Sequence, residues 1–381
     1  VQRTLNLSPR IKVVESDVES KAGDSVQAKL LPNPIAGWSV ENVFGNKKWH
    51  GWNAAESRYE VAQLVELGGK RGYRSQVAEY AYIASLSGYE AAKLETLNRL
   101  TKMFVQVAAN QEQLNVAEYQ LKIAKESLDT VSAKLEAGKV SQIQQNKAEI
   151  ALTNAQILLM RSQVELFNSK ERLAALWGAF IPDFERVDYP FFEIEKPREL
   201  NLCIDDLRNN PELIQSQYDH LAAHQSYLLQ KSGQVPDVTI SFGVKTLRDT
   251  GEKGMILGAA LPIPVFNQNQ GNIRKAESEI AKTHTEFHQV QLMLENKLTI
   301  AHKQLVQAYN EAHTIQNSVL KSANQTFELA TEGYKEGKFE YLELLDAQRT
   351  LSDVMERYIQ ALLTYHQKLA EIEYLSTKAD S

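Results

Sequence analysis

Proline is absent from residues 73–181 and again from residue 265 to the C-terminus. Proline removes a backbone donor and clashes with the preceding helical turn, so two blocks this long without it read as very long helices. Glycine punctuates both blocks in the same way. Gly72 precedes Gly138 by 66 residues and Gly271 precedes Gly337 by the same 66, an offset of 199 between copies that points to a duplicated unit. An arm of that size would reach about 100 Å at 1.5 Å per residue and must pack sideways on other helices.

The apolar spacing agrees. Leu100, Val107, Leu114, Leu121, Leu128 and Leu135 recur every seven residues, with Ala117, Ala124 and Val131 between them, as in a coiled-coil seam. Beyond Gly138 the stripe resumes as Ile143, Ile150, Ile157 and Val164. In the second copy it runs Leu344, Leu351, Tyr358, Tyr365, Ile372. Gly138 and Gly337 are therefore expected where a helix stops and reverses, a place for a residue that tolerates left-handed angles. Lys139 and Lys338 follow them, as in a polar turn.

A different texture precedes each block. Val238, Ile240, Phe242 and Val244 alternate with Thr239, Ser241, Gly243 and Lys245, and "MILGAALPIPVF" follows the polar turn "RDTGEKG". That is a strand hairpin with one apolar face. "NPIAGWSVENVF" and "YEVAQLVELGG" make a matching pair, and strands near 9–11 residues suit either a soluble sheet or a tilted membrane strand. Four strands cannot close a barrel, and an open edge in lipid strands backbone groups at several kcal/mol each. Further copies would have to close it. Three would supply twelve strands and twelve helices. Trp38, Trp49 and Trp52 cluster in or beside the first hairpin, where their rings suit a lipid interface or ordinary packing.

Composition removes other classes. Forty-two basic against 48 acidic residues give a net charge of −6, with no basic patch for nucleic acid. The single cysteine, Cys203, excludes a disulfide or cysteine metal cluster within the chain and reads as a buried thiol. No stretch reaches the ~20 apolar residues of a membrane helix. Val1 does not open a leader pattern, as expected of a processed form. No nucleophile paired with a base, phosphate loop or metal cluster suggests an enzyme. His220 with His224, and His284 with His288, are four apart on expected helices, but each pair alone is an incomplete metal site, so no metal and no cofactor is expected.

Six segments occur in order: "LPNP…VENVFG…QLVELGGKRGYR", "LAALWGAFIPDF", "NNPEL", "VPDVTISFGVKT", "LPIPVFNQNQGNIRKAE" and "GYKEGKFEYLELLDAQRTL". Together, over about Leu31 to Leu375, they resemble the TolC-type outer-membrane efflux channels, and most of all the CzcC/CusC-like heavy-metal branch. The resemblance implies a mainly α protein with membrane β: a homotrimer whose twelve-stranded outer-membrane barrel continues as a twelve-helix periplasmic tube. It also implies a passive exit duct in a tripartite pump, coupled through a periplasmic adaptor to an inner-membrane RND transporter and surrounded by outer-membrane lipid. The expected layout is an N-terminal equatorial segment (1–31), hairpin 1 (32–71), helical hairpin 1 (72–178), an equatorial segment with a short helix (179–235), hairpin 2 (236–266), helical hairpin 2 (267–376) and a tail (377–381).

The resemblance also places a gate. Glu343 and Asp346 share one face of the returning helix and match the family's acidic positions at the narrow end of the tube. Tripled, they would make a ring of six carboxylates that concentrates cations. The first copy has Gln144 and Lys147 instead, so Lys147 is expected to pair with Asp346 or Glu343 across neighbouring helices. Tyr334 matches a family clasp tyrosine, while Phe339 replaces the clasp arginine. Gly138, Lys139, Gly337 and Lys338 would be the adaptor-contacting tips. Metal cations are the expected cargo, drugs or secreted polypeptides the alternative in the same fold, and a coiled-coil scaffold without a pore the alternative from another class.

Overall fold

The computed structural model describes residues 1–376, and the tail read above as 377–381 lies outside them. Two compact units each draw on several chain segments: one from Val1–Val14, Glu90–Pro211 and Gln291–Ser381, the other from Glu15–Tyr89 and Glu212–Val290.

The second unit carries the sheet. Strands β1 (Ile35–Glu41), β2 (Glu56–Val65), β3 (Val238–Leu247) and β4 (Lys253–Ala260) pair antiparallel in sequence order, leaving β1 and β4 as edges. Register segregates the two faces. Trp38 opposes Tyr59, Tyr59 opposes Val244, and Val61, Phe242 and Leu257 form one row, so these apolar side chains share a face. That face is bare: Phe242 is 51% exposed, Met255 78% and Leu257 81%. Ser39, Glu56, Arg58, Glu60, Ser241 and Lys245 occupy the other, joined by the Arg58–Glu60 ion pair at 2.6 Å and by Lys245 with Glu56. A water-soluble sheet would bury its apolar face and wet its polar one; here no described residue covers the apolar face.

Two strands are shorter than the 9–11 residues expected. β1 has seven and β4 eight. Positive φ at Asn42 (60°) and Phe44 (62°) bends the chain away after β1, and Pro262 and Pro264 withdraw ladder donors after β4. At the sheet's other end, Gly68 and Gly69 take left-handed angles and turn β2 into α3 (Lys70–Glu136). Lys70 Nζ holds Asp237 at 2.7 Å while the Leu67 N–H donates to the same carboxylate at 2.9 Å. Burial opposes the Asp237 charge, but these donors outweigh it and hold its carboxyl below the usual range. The N-terminal segment, expected without assigned structure, is helical: α1 (Gln2–Leu7) and α2 (Pro9–Lys29). After α4 (Gln142–Ala175) and a linker come α5 (Leu200–Leu207) and α6 (Pro211–Ser232). At 22 residues α6 is far longer than the short helix read from "NNPEL"; Pro211 starts it, where a missing N–H costs nothing.

The first unit is built from helices. α7 (Gln270–Thr314), which enters this unit at Gln291, and α8 (Leu320–Glu336) are joined by a π turn at Ile315–Val319, which interrupts the arm expected to be continuous, and α9 (Tyr341–Ser376) returns. The seam reading holds for α9, where Leu344, Leu351, Tyr358, Tyr365 and Ile372 are all buried. It fails for α4. Ile143 is 66% and Ile150 59% exposed, while Ala148, Ala155, Ser162 and Ser169, also seven apart, are the buried stripe. On α3, too, Ala117, Ala124 and Val131 are buried and Leu114, Leu121, Leu128 and Leu135 only partly so. Small side chains let helix backbones approach within the chain, which leaves the large residues to the flanks.

The 179–199 linker is fixed to this helical core by side chains that imitate strand pairing. Gln111 donates to the Val187 carbonyl at 3.0 Å and accepts from its N–H at 2.8 Å. The Tyr365 hydroxyl donates to the Glu195 carbonyl at 2.8 Å and accepts from the Glu195 N–H at 2.9 Å. Buried His366 donates from Nε2 to the Phe191 carbonyl at 2.9 Å, so Nδ1 accepts from the Tyr189 hydroxyl at 2.9 Å. Cys203 is buried, and its thiol pKa is pushed up by burial.

Two outcomes follow. Phe242→Arg on the bare apolar face should cost about 2–4 kcal/mol of insertion into vesicles, whereas Ser241→Arg on the polar face should insert normally; heat-modifiable gel mobility reads this. Burial pushes the His366 pKa below its ordinary 6.5. The folded state therefore binds fewer protons than the unfolded one as pH falls through the ordinary histidine range. Stability is full above that range and lost below it, and the thermal midpoint of His366→Gln should lack this dependence.

Candidate functional site: the two interhelix turns

Both helix reversals lie in the first unit and end the same way. α3 stops at Glu136 and Gly138 takes φ 71°; the Lys139 N–H donates to the Lys134 carbonyl at 2.9 Å and the Gly138 N–H to that of Leu135 at 2.8 Å. α8 stops at Glu336 and Gly337 takes φ 79°, with Lys338 N–H on the Gly333 carbonyl at 2.8 Å and Gly337 N–H on that of Tyr334 at 3.2 Å. These bonds satisfy carbonyls a helix end leaves orphaned, and they need the left-handed residue that glycine supplies.

A compact cluster lies beneath the turns: Val131 from α3, Ala148 from α4, Ala330 and Tyr334 from α8, and Tyr341, Leu344, Leu345 and Ala347 from α9. Tyr334 is its hub. Its ring packs on Tyr341 at 5.6 Å between centroids, and its face receives the Lys134 ammonium 4.0 Å from the centroid. Lys134 also donates to the Tyr334 backbone carbonyl. Burial and then the Lys139 charge push the Lys134 pKa down, while ring and carbonyl favour the charged form. The Tyr334 hydroxyl is buried without a hydrogen-bond partner among the described residues, and burial pushes its pKa up.

Phe339 packs over Gly333. A Cβ at position 333 would stand 2.1 Å from the phenyl ring, so glycine there makes room for phenylalanine here. Position 339 therefore makes an apolar contact with the α8 backbone.

The remaining expected site residues are spread around this core. Glu343 and Asp346 are exposed on α9, on the face away from buried Leu344, Leu345 and Ala347. Lys147 is exposed on α4, and no ion pair joins it to Glu343 or Asp346 within the described residues of the chain. Gln144 is half-buried, with its side-chain oxygen unpartnered. Lys139 and Lys338 are exposed at the turns, Lys338 paired with Glu336. Sequence reasoning missed Lys134, Tyr341 and the seat that Gly333 gives the Phe339 ring. A signal existed for Lys134: it stands in the last turn of α3, four residues before Gly138, where a cation favours the helix C-terminus.

A sheet with a bare apolar face, joined in one chain to long helices reversed at glycine turns, defines an outer-membrane channel protein. Solved structures share this fold: the CusC channel, at TM-score 0.82 and 16% identity over 99% of this chain and 91% of that one, and the open-state MtrE outer-membrane channel of Neisseria gonorrhoeae, at TM-score 0.81 and 17% identity over 98% and 87%. The family model described as outer membrane efflux protein matches residues 47–179 and 205–376, and the chain belongs to that family. Among curated relatives, the cobalt-zinc-cadmium resistance protein CzcC of Cupriavidus metallidurans is 29% identical over 97% of this chain and 85% of its own length. The nickel and cobalt resistance protein CnrC of the same organism is 28% identical over 77% and 69%.

Removing the Lys134 ammonium tests the turn. Lys134→Met should loosen it by about 1–2 kcal/mol, the sum of a cation–ring contact and a charged hydrogen bond, read as faster amide exchange at Lys338 and Phe339; Lys134→Arg should restore protection. Gly333→Ala should cost about 1–3 kcal/mol by overpacking, and adding Phe339→Ala should recover much of it.

Proposed function

We propose that this chain forms, as a homotrimer, the outer-membrane exit duct of a tripartite pump for divalent heavy-metal cations. The observation that carries the trimer is the open four-stranded sheet: its apolar face suits lipid, yet both its edges need partners, and three copies close twelve strands. The exposed α4 stripe, Ile143, Ile150, Ile157 and Val164, supports the same reading, because it needs cover that the chain does not provide. CzcC and CnrC are named for resistance to cobalt, zinc, cadmium and nickel, which favours metals over drugs or polypeptides as cargo. The adaptor would dock at the turns around Gly138, Lys139, Gly337 and Lys338, and an inner-membrane RND transporter would supply the driving force. The chain itself would do no chemistry.

At the gate, exposed Glu343 and Asp346 would form a ring of six carboxylates in the trimer and draw cations to the mouth. Lys147 would reach them from a neighbouring copy and hold the end shut. Tyr334, clamped by Lys134, would keep each turn rigid under that contact, and half-buried Gln144 would pack beside it.

Expression in a strain lacking its own metal-efflux outer-membrane component tests the cargo: cobalt, zinc or cadmium tolerance should return while drug tolerance does not, and the reverse would reassign the channel. In planar bilayers Lys147→Glu should raise conductance, and Glu343→Gln with Asp346→Asn should lower cation preference. A closed Lys147→Glu channel would discard the proposed pair.

A further inference from the structure

Four of the protein's eight histidines stand in two pairs, His220 with His224 on α6 and His284 with His288 on α7, all in the sheet-bearing unit. Separate in sequence, the pairs meet in the fold. The His220 and His284 rings are 5.6 Å apart between centroids across the two helices, and His284 and His288 are 4.6 Å apart along α7.

A buried threonine holds one nitrogen of the central ring. The Thr283 hydroxyl points its hydrogen back at the carbonyls of Glu279 and Ile280, at 3.0 and 3.1 Å, which leaves its lone pairs to accept from His220 Nδ1–H at 3.1 Å. With the Thr283 hydrogen on either carbonyl, the His220 proton is on Nδ1 and Nε2 carries a free lone pair. A hydrogen bond that fixes one imidazole nitrogen and frees the other is what orients metal-binding histidines. Asp219 and Glu286 lie close enough for their charges to act on one another beside this group.

We infer that His220, His284 and His288 form a weak site for a first-row divalent cation of the zinc, cobalt and nickel class, the ions imidazole suits. Among the described residues no group of three or more His, Cys, Asp or Glu side chains is placed to hold a metal ion as the side chains stand. The site closes by rotation of His284 and His288, which are exposed and so change rotamer quickly. Two histidines four apart on a helix share a face and can grip one ion; His220 adds a third imidazole from α6, and water completes the shell. With no thiolate in the set, the ion can leave as readily as it enters. Binding at this site does not depend on what the channel carries, but a role as a way station for exported cations rests on the function proposed above.

The test is titration of the untagged full chain in detergent with Co2+ alone, followed by visible absorption and calorimetry. One ion per chain is expected, with a low-coordination cobalt spectrum. His220→Ala and His284→Ala should each weaken it at least about tenfold, and Thr283→Val, which frees the His220 ring, should weaken it while leaving all three imidazoles in place. His50→Ala should change nothing, and far-UV circular dichroism checks that each variant is folded. Absence of saturable binding, or binding that survives the combined His220→Ala, His284→Ala and His288→Ala substitutions, overturns the site. Intact cobalt binding in a chain that restores no metal tolerance would sink the proposed cargo and leave the site standing; restored tolerance without binding would do the opposite.

Discussion

The constraint on which the rest depends is that a backbone in lipid must satisfy every N–H and C=O internally. A four-stranded antiparallel sheet cannot do this by itself, because β1 and β4 each present a row of unpaired groups. Its side chains nevertheless commit it to such a medium, since Trp38, Tyr59, Val61, Phe242, Met255 and Leu257 share one uncovered face. A sheet that sorts its faces so cleanly and leaves its edges open is one part of an assembly. In the trimer proposed above, self-association is a condition of stability for this element rather than an addition to it.

The helices show the same division between what one chain completes and what it leaves. Within the chain, stripes of alanine and serine on α3 and α4 and large residues on α9 are buried, so the intrachain contacts are close and small-on-large. The isoleucines of α4 stay out. The two copies of the repeat have therefore diverged in role: α9 spends its large stripe on the core of its own chain, and α4 keeps its equivalent stripe for a surface.

The turns have diverged too, although glycine ends both in the same backbone geometry. The second turn holds the aromatic hub Tyr334 and the Phe339 contact over Gly333, and the first contributes the cation that clamps that hub, Lys134. One copy thus acts as the receptor of the other, which a strict duplication could not provide. The acidic pair Glu343 and Asp346 points away from this cluster, and its charge is free to act on whatever approaches.

Much of this was legible in the sequence because it rests on local physics. Proline-free runs must be helix, period-two alternation must be strand, and glycine at equal spacing marks reversals where only a left-handed residue fits. The tertiary structure alone decided which of two heptad stripes α4 buries, since both have the same period and only the neighbouring helix chooses between small and large. It also decided that α7 and α8 are joined through a π turn, and that Lys134 reaches Tyr334 and His220 reaches His284 from residues far apart in the chain. Contacts of that kind depend on how helices are rotated against one another, and helical periodicity fixes which residues share a face without fixing what that face will meet.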